Sequence, residues 1–302
     1  MLPKLIVIEG TNASGKSALG VQLAKKRNGE IVSADSRQVY ARLDLGSGKI
    51  TPEETEGVPH HLLDVRQPGE FFSMADYQAL AYEAIDGILA RGHVPFLVGG
   101  TGLYVDSVAE GYVLSEKKPD PELRARLETY ATPELYEMLK ERMPETDVDP
   151  KNRHRVMRML EKLAAGDEGP APRRKRYETL KLGVTWPREE LRRRIDERLE
   201  RRLEQGMVEE VRALLDEGVS EEFLIRLGLE YKYLTWYLTG KMSYEQMTAE
   251  LATAIKQLAK RQMTWFRRDP RIIWLDMAGD PTAQADREIE AFLRAGEDGA
   301  QA

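Results

Sequence analysis

The stretch "IVIEGTNASGKSALG", residues 6–20, constrains this chain more than any other. It joins an apolar run to a helix-like segment through Gly10, Thr11, Asn12, Ala13, Ser14, Gly15, Lys16 and Ser17. Two glycines separated by four residues, then Lys and Ser, form the phosphate-loop pattern, and this copy stands after a strand and opens a helix, as the pattern requires. Glycines let backbone amides point at phosphate oxygens, the helix N-terminus adds a favourable dipole, Lys16 supplies a point charge, and the Ser17 hydroxyl is suited to Mg²⁺. A loop of this kind specifies an α/β sheet around it and a polyphosphate or pyrophosphate ligand. It does not by itself specify ATP.

The remaining pattern agrees with such a sheet. "EIVSAD" (residues 30–35) and "VPFLVGG" (residues 94–100) repeat the strand-then-loop arrangement, and a helix capped by Ser73 lies between them. Strands alternating with helices imply a parallel sheet. Two later strand candidates, "KLGVTW" (residues 181–186) and "RIIWLD" (residues 271–276), complete it after an excursion. That excursion, residues 114–176, is Glu/Arg/Leu-rich and helical in period, with Pro and Gly at both borders. The reading is therefore an α/β core of residues 1–113 and 177–276, an inserted all-helical subdomain at 114–176, and a mobile acidic tail at 277–302. A long amphipathic pattern at 187–215 and helices near Tyr231 and over 243–268 follow the insert.

Composition excludes several functions. The 302 residues contain no Cys, which removes disulfides, thiolate metal sites and a thiol nucleophile. The opening apolar run is too short for a signal peptide, and no run reaches membrane-spanning length. A cytoplasmic, monomeric protein is expected. The net charge of −6 argues weakly against nucleic acid, yet basic clusters stand at residues 173–176, 192–194 and 256–268.

Asp35 ends the second strand, where α/β sheets put ligand chemistry, and so can face the same cleft as Lys16. Its alternative role is to cap a helix over "SRQVYARL". Glycines in "GGTGLY" (residues 99–104) suit close backbone approach to a ligand or a tight turn, and Thr101 matters if it points toward the phosphate loop. His60 and His61, adjacent on an extended chain, are read as structural or as hydrogen-bonding loop residues, not as ligands of one metal. Asp64 is a weak candidate Mg²⁺ partner. Arginines recur at Arg194, Arg198 and Arg201 among acids, so most belong to a solvated helix, while one or two can clamp a pyrophosphate. The acid-free "KQLAKRQMTWFRR" (residues 256–268) mixes cations with Trp265 and Phe266, as an RNA-binding surface or as a core-facing helix.

Together, "GTNASGKS", "SADSRQVY", "GVPHHLLDV", "LVGGTGLY", "NRHRVMRMLE", "YLTGKMSYEQM" and "LAKRQMTWFRR" resemble the tRNA dimethylallyltransferase (isopentenyl-pyrophosphate transferase) family, in order and over nearly the whole chain. The resemblance implies a P-loop-kinase-like core whose helical insert grips the anticodon stem. It implies transfer of a dimethylallyl group to the exocyclic amine of the adenosine 3′ of the anticodon, with Mg²⁺ as cofactor. By the same resemblance Asp35 is the general base and Thr101 sits at the reacting centre. Ser36, Arg37, Gln38 and the segment His154, Arg155, Val156, Met157 and Arg158 touch tRNA, and residues 12–17 bind dimethylallyl pyrophosphate. Two positions depart from the family. Its loop usually reads Gly-Pro-Thr-Ala-Ser-Gly-Lys-Thr, where this chain has Thr11 and Asn12 for the Pro and first Thr, and Glu230 stands where a Gly is usual.

An adenine exocyclic amine is a poor nucleophile, so catalysis must come from orientation, proton removal and leaving-group stabilisation. Asp35 serves the proton; Lys16, the loop amides, Ser17-bound Mg²⁺ and Arg194 or Arg198 serve the pyrophosphate. Rival readings are a small-molecule kinase using ATP, a prenyltransferase acting on free adenine nucleotides, and a non-catalytic P-loop RNA-binding protein.

Overall fold

A computed structural model describes residues 1–114, 120–167 and 173–295. Its strands are β1 (Lys4–Gly10), β2 (Gly29–Ala34), β3 (His60–His61), β4 (Val94–Gly99), β5 (Glu178–Thr185) and β6 (Ile273–Asp276). The helices are α1 (Lys16–Lys26), α2 (Met74–Ala90), α3 (Gly102–Ala109), α4 (Pro121–Glu128), α5 (Thr132–Arg142), α6 (Arg153–Ala164), α7 (Arg188–Glu204), α8 (Met207–Asp216), α9 (Glu221–Leu227), α10 (Leu229–Leu238), α11 (Tyr244–Phe266) and α12 (Pro281–Arg294).

Among the described residues the strands form one six-stranded sheet in the order β3-β2-β4-β1-β5-β6. Every pair is parallel, in agreement with the sequence pattern. The short β3 was not foreseen, because two residues carry no periodicity. Leu5 and Val7 of β1 pack on one face against residues of α2 and α3, and Ile6 and Ile8 pack on the other against α1 and α12. Burial on both faces explains why the strand is a continuous apolar run. Helix α2 begins with a capping box, in which Ser73 and Asp76 satisfy each other's backbone N–H groups. A further cluster joins α7, α8, α10 and α11 around Leu199, Val211, Tyr231 and Leu251. The long pattern at 187–215 is two helices, interrupted at Gly206, whose φ of 98° lies in the left-handed region.

The chain divides into two compact units, Met1–Glu110 with Lys175–Ala302, and Gly111–Arg174. The second unit contains α4, α5 and α6, packed around Leu127, Leu135, Leu139, Val156 and Leu160. Its buried Glu161 is paired with Arg124 and Arg158. The tail expected from residue 277 is corrected: α12 buries Ala285 and Ile289 against the sheet core, and Asp286 binds Lys26 and Arg27 of the first helical segment. Its apolar residues at helical spacing outweigh its acidic composition. Residues 296–302 of that tail lie outside the described residues.

Beneath the sheet's carboxyl edge lies a buried charge cluster. Lys181 of β5, 2% exposed, lies 2.8 Å from both Asp269 and Glu110. Neighbouring Glu9 is 1% exposed, and among the described residues its Oε1 has no hydrogen-bond partner. Burial pushes the Glu9 carboxyl up to about 8, against the opposing pull of Lys181. The folded state therefore holds a proton that the unfolded state releases, so stability falls as pH rises from the ordinary carboxylate range toward 8. At about 1.4 kcal/mol for each pH unit between the two values, the loss is at most about 5 kcal/mol. Glu9→Gln is expected to remove this slope and to be more stable than wild type at pH 8, with the difference closing below about pH 5. Chemical denaturation across that range checks it; parallel pH profiles for both proteins would refute it.

Candidate active site

The loops after β1, β2 and β4 meet at the carboxyl edge because those three strands are neighbours in the sheet. A cavity of about 430 Å³ opens there. It is lined by the phosphate loop from Asn12 to Ser17, by Asp35 and Gln38, by Ser47 and Gly48, and by Arg194, Arg198 and Arg201.

The phosphate loop is held from outside. Ala13 and Gly15 are left-handed, with φ of 59° and 87°. A Cβ on Gly10 would fall 2.5 Å from the Val184 side chain, so the loop can leave β1 only through glycine. Donors engage its carbonyl oxygens one by one. Ser14 Oγ donates to Thr11 O at 2.8 Å, Arg194 Nε to Ala13 O at 3.1 Å, and Trp186 Nε1 to Ser14 O at 2.9 Å. These oxygens would otherwise repel a phosphate. Gln262 of α11 bridges two loops, accepting from the Asn12 N–H at 3.0 Å and donating to Gly100 O at 2.8 Å. Lys16 Nζ donates to Thr11 O at 3.3 Å.

Asp35 is buried but lines the cavity. No helix follows it; its Oδ1 accepts the Arg37 N–H at 3.0 Å, which closes a tight turn instead of capping a helix. At the end of β4, a Cβ on Gly99 would lie 2.1 Å from Ala34 O. That close approach brings Thr101 Oγ1 to the Ser36 N–H at 3.1 Å. Thr101 thus buttresses the Asp35 turn, and is not among the residues lining the cavity.

The third wall is cationic. Arg194 stacks on Trp186, with its guanidinium carbon 4.6 Å from the ring centroid. Arg198 donates to Gly48 O at 3.4 Å, and Gln38 Nε2 donates to the same oxygen at 3.1 Å. A Cβ on Gly48 would lie 2.3 Å from Arg198 Nη2 and 1.6 Å from Arg202 Nη2, so this left-handed turn is the seat of both guanidinium groups. Burial lowers Lys16 to about 8, with Asp35 opposing and Arg198 and Arg202 adding to the fall. Arg198 is lowered to about 10, first by burial and then by Arg202, against Glu230 and Asp35. Cations crowded to the point of losing affinity for their protons make a site short of negative charge, which an oligophosphate anion would supply.

Several sequence-predicted residues lie elsewhere. Arg37 does not line the 430 Å³ cavity; its guanidinium turns inward onto Glu230, 2.5 Å away, beside a smaller cavity that it lines with Asn12, Ala13, Arg198 and Arg202. Val156 and Met157 are 0% and 4% exposed in the core of the second unit, so their side chains cannot meet RNA. They fill the apolar face of α6, whereas His154 and Arg155 on the same helix are exposed and Arg158 pairs with Glu161. Of the acid-free basic segment, Phe266 is buried and Trp265 packs over Gly102 and donates to Asp106 at 2.9 Å, so both aromatics are structural. Asp64 pairs with Lys49 and is not among the residues lining the cavity. His61 and His93 both contact the buried Glu30 at 2.6 Å, a structural role. Sequence reasoning missed Gly48, Trp186, Arg202 and Gln262. Their signals are single residues whose partners lie far away in the chain.

Residues 38–269 match the family model described as IPP transferase. The chain is 45% identical over 296 residues to tRNA dimethylallyltransferase 2 of Pelobacter propionicus, covering 94% of this chain and 93% of that protein. Among solved structures it is similar to the full-length tRNA isopentenylpyrophosphate transferase of Bacillus halodurans, with TM-score 0.73, 37% identity, and 97% and 96% of the two chains covered. It is also similar to a eukaryotic dimethylallyltransferase acting on tRNA, with TM-score 0.77 and 29% identity, covering 97% of this chain and 77% of that one.

Proposed function

The chain belongs to the IPP transferase family, and from that premise we propose that it transfers a dimethylallyl group from dimethylallyl pyrophosphate to tRNA. The acceptor is the exocyclic amine of the adenosine 3′-adjacent to the anticodon, and pyrophosphate is released. The observation that carries this reading is one cavity lined both by a carboxylate, Asp35, and by the phosphate loop with Lys16, Ser17, Arg194 and Arg198. A proton acceptor beside a pyrophosphate cradle is what alkylation of a weakly nucleophilic amine needs.

The adenine nitrogen attacks the allylic carbon, forming the N–C bond as the C–O bond to pyrophosphate breaks. Asp35 takes the amine proton. Negative charge growing on the leaving oxygen is met by Lys16, the loop amides and the arginine wall. The target base must leave its stack to reach the cavity, which favours a single-stranded anticodon loop. His154 and Arg155 are exposed hydrogen-bond donors suited to the RNA backbone. Ser36 and Gln38, beside Asp35, are proposed to read the acceptor.

Mg²⁺ fits the donor set. Among the described residues no cluster of three or more His, Cys, Asp or Glu side chains offers a protein cage. Ser17 nonetheless provides an oxygen lining the cavity, and Mg²⁺ typically binds through one or two protein oxygens, phosphate oxygens and retained water. Ser17 would hold the ion against the pyrophosphate, where it would neutralise leaving-group charge. Among the described residues no helix is long and apolar enough to cross a membrane.

The test is transfer of label. With Mg²⁺, labelled dimethylallyl pyrophosphate and an anticodon stem-loop containing three adenosines, label is expected on the stem-loop adenosine alone. Label appearing only on AMP, or ATP consumed in step with a nucleoside, would sink the reading.

A further inference from the structure

We propose that Glu230 is a positioning residue for Asp35, acting through Arg37; this rests on the prenyl-transfer reading, since it concerns the base of that reaction. Glu230 lies in the first turn of α10 and is 3% exposed. A carboxylate there is favoured by the helix dipole, which helps to hold its charge in a buried position. One oxygen accepts from Arg37 Nη1 at 2.5 Å, and the other lies 4.0 Å from Arg202 Nη1. The same Arg37 donates its backbone N–H to Asp35 Oδ1 at 3.0 Å. Arg37 therefore ties the carboxylate of the base to a helix nearly two hundred residues away.

The Asp35 turn is braced from two sides. Thr101, beyond β4, accepts the Ser36 N–H, and Glu230 on α10 takes the Arg37 guanidinium. Without the Glu230 charge, Arg37 would remain buried among cations, because Arg198 and Arg202 line the same small cavity. An unpaired guanidinium beside two others is driven outward, and the turn would move with it. On the leaving-group side the same change acts in the opposite sense: losing a carboxylate leaves the arginine wall more positive and binds pyrophosphate no less tightly. The two effects separate cleanly in kinetics.

The experiment is a cycle of Glu230→Gln, Arg37→Gln and the double variant, assayed with dimethylallyl pyrophosphate and the anticodon stem-loop. Melting temperature and inorganic pyrophosphate affinity are measured alongside. Each single variant is expected to lower kcat by about 10- to 100-fold, the scale of a displaced catalytic group. Donor KM and pyrophosphate affinity should not weaken in Glu230→Gln. The double variant should regain part of the melting temperature lost in Glu230→Gln, because Arg37 is no longer buried without its carboxylate, yet lose no more kcat than the worse single variant. An unchanged kcat in Glu230→Gln, losses that multiply in the double variant, or kcat recovering together with melting temperature would overturn the proposal. If a single variant fails to fold, the double variant decides: low kcat with a wild-type melting temperature supports it, and wild-type kcat refutes it. Wild-type protein that transfers no label overturns the prenyl-transfer reading and this inference with it.

Discussion

Asp35→Asn is expected to lower kcat for prenyl transfer by about 10²- to 10⁴-fold, the range typical of losing a positioned general base. The substitution keeps the size of the side chain and an oxygen able to accept the Arg37 N–H, so the turn that presents residue 35 should survive. What is lost is proton affinity. The alkylated amine would then hold its proton through the transition state, and the barrier would rise without any change in how the donor is bound. Inorganic pyrophosphate should accordingly bind Asp35→Asn at least as well as wild type, because removing a carboxylate from a cavity walled by Lys16, Arg194 and Arg198 relieves repulsion of the anion. Single-turnover transfer to the stem-loop and calorimetric titration with pyrophosphate measure the two effects separately. Wild-type transfer by Asp35→Asn would remove the residue from the mechanism. Loss of both transfer and pyrophosphate binding would instead make it part of the donor site.

Lys16→Met is expected to act on the other reactant. Lys16 is the cation at the foot of the phosphate loop, and removing a preorganised charge-stabilising group from a dry site costs on the order of 10²- to 10³-fold in rate. Here pyrophosphate affinity should fall with it, which distinguishes this variant from Asp35→Asn. The pH dependence is specific. Burial lowers Lys16 to about 8, so its charge is complete below that value and is lost as pH rises through it. An incoming pyrophosphate restores the lost proton by favouring the charged form. Binding above pH 8 is therefore expected to take up protons, seen as a dependence of the binding heat on buffer ionisation enthalpy. That uptake should vanish in Lys16→Met. Equal proton uptake by both proteins would assign it to the ligand or to another group.

Much of this architecture is legible in the linear chain because it is local. A strand buried on both faces is an unbroken apolar run, as in "LIVI" at residues 5–8, and the parallel sheet follows from helices alternating with such runs. The phosphate loop is legible for the same reason: its fixed residues are contiguous, with left-handed Gly15 just before the helix that opens at Lys16. Asp35 could be singled out because the end of a strand is a topological location. Composition misled at the C-terminus, where acidic residues and Ala suggested a tail. The spacing of Ala285 and Ile289 on α12 was the better guide.

Fold class, the phosphate loop and the carboxylate beside it could be read from the linear chain, since each depends on residues close together along it. Tertiary structure alone decided which arginines face the cavity. Arg194, Arg198 and Arg201 line it, whereas Arg202 on the same helix is turned to the Gly48 turn and Glu230. It also decided that Arg37 turns inward, that Val156 and Met157 are core, and that Gln262 of α11 and Trp186, just after β5, hold the loop. The physical reason is range: periodicity reports which face of an element is apolar, whereas a buried charge or amide is defined by partners that close contacts bring from anywhere in the chain.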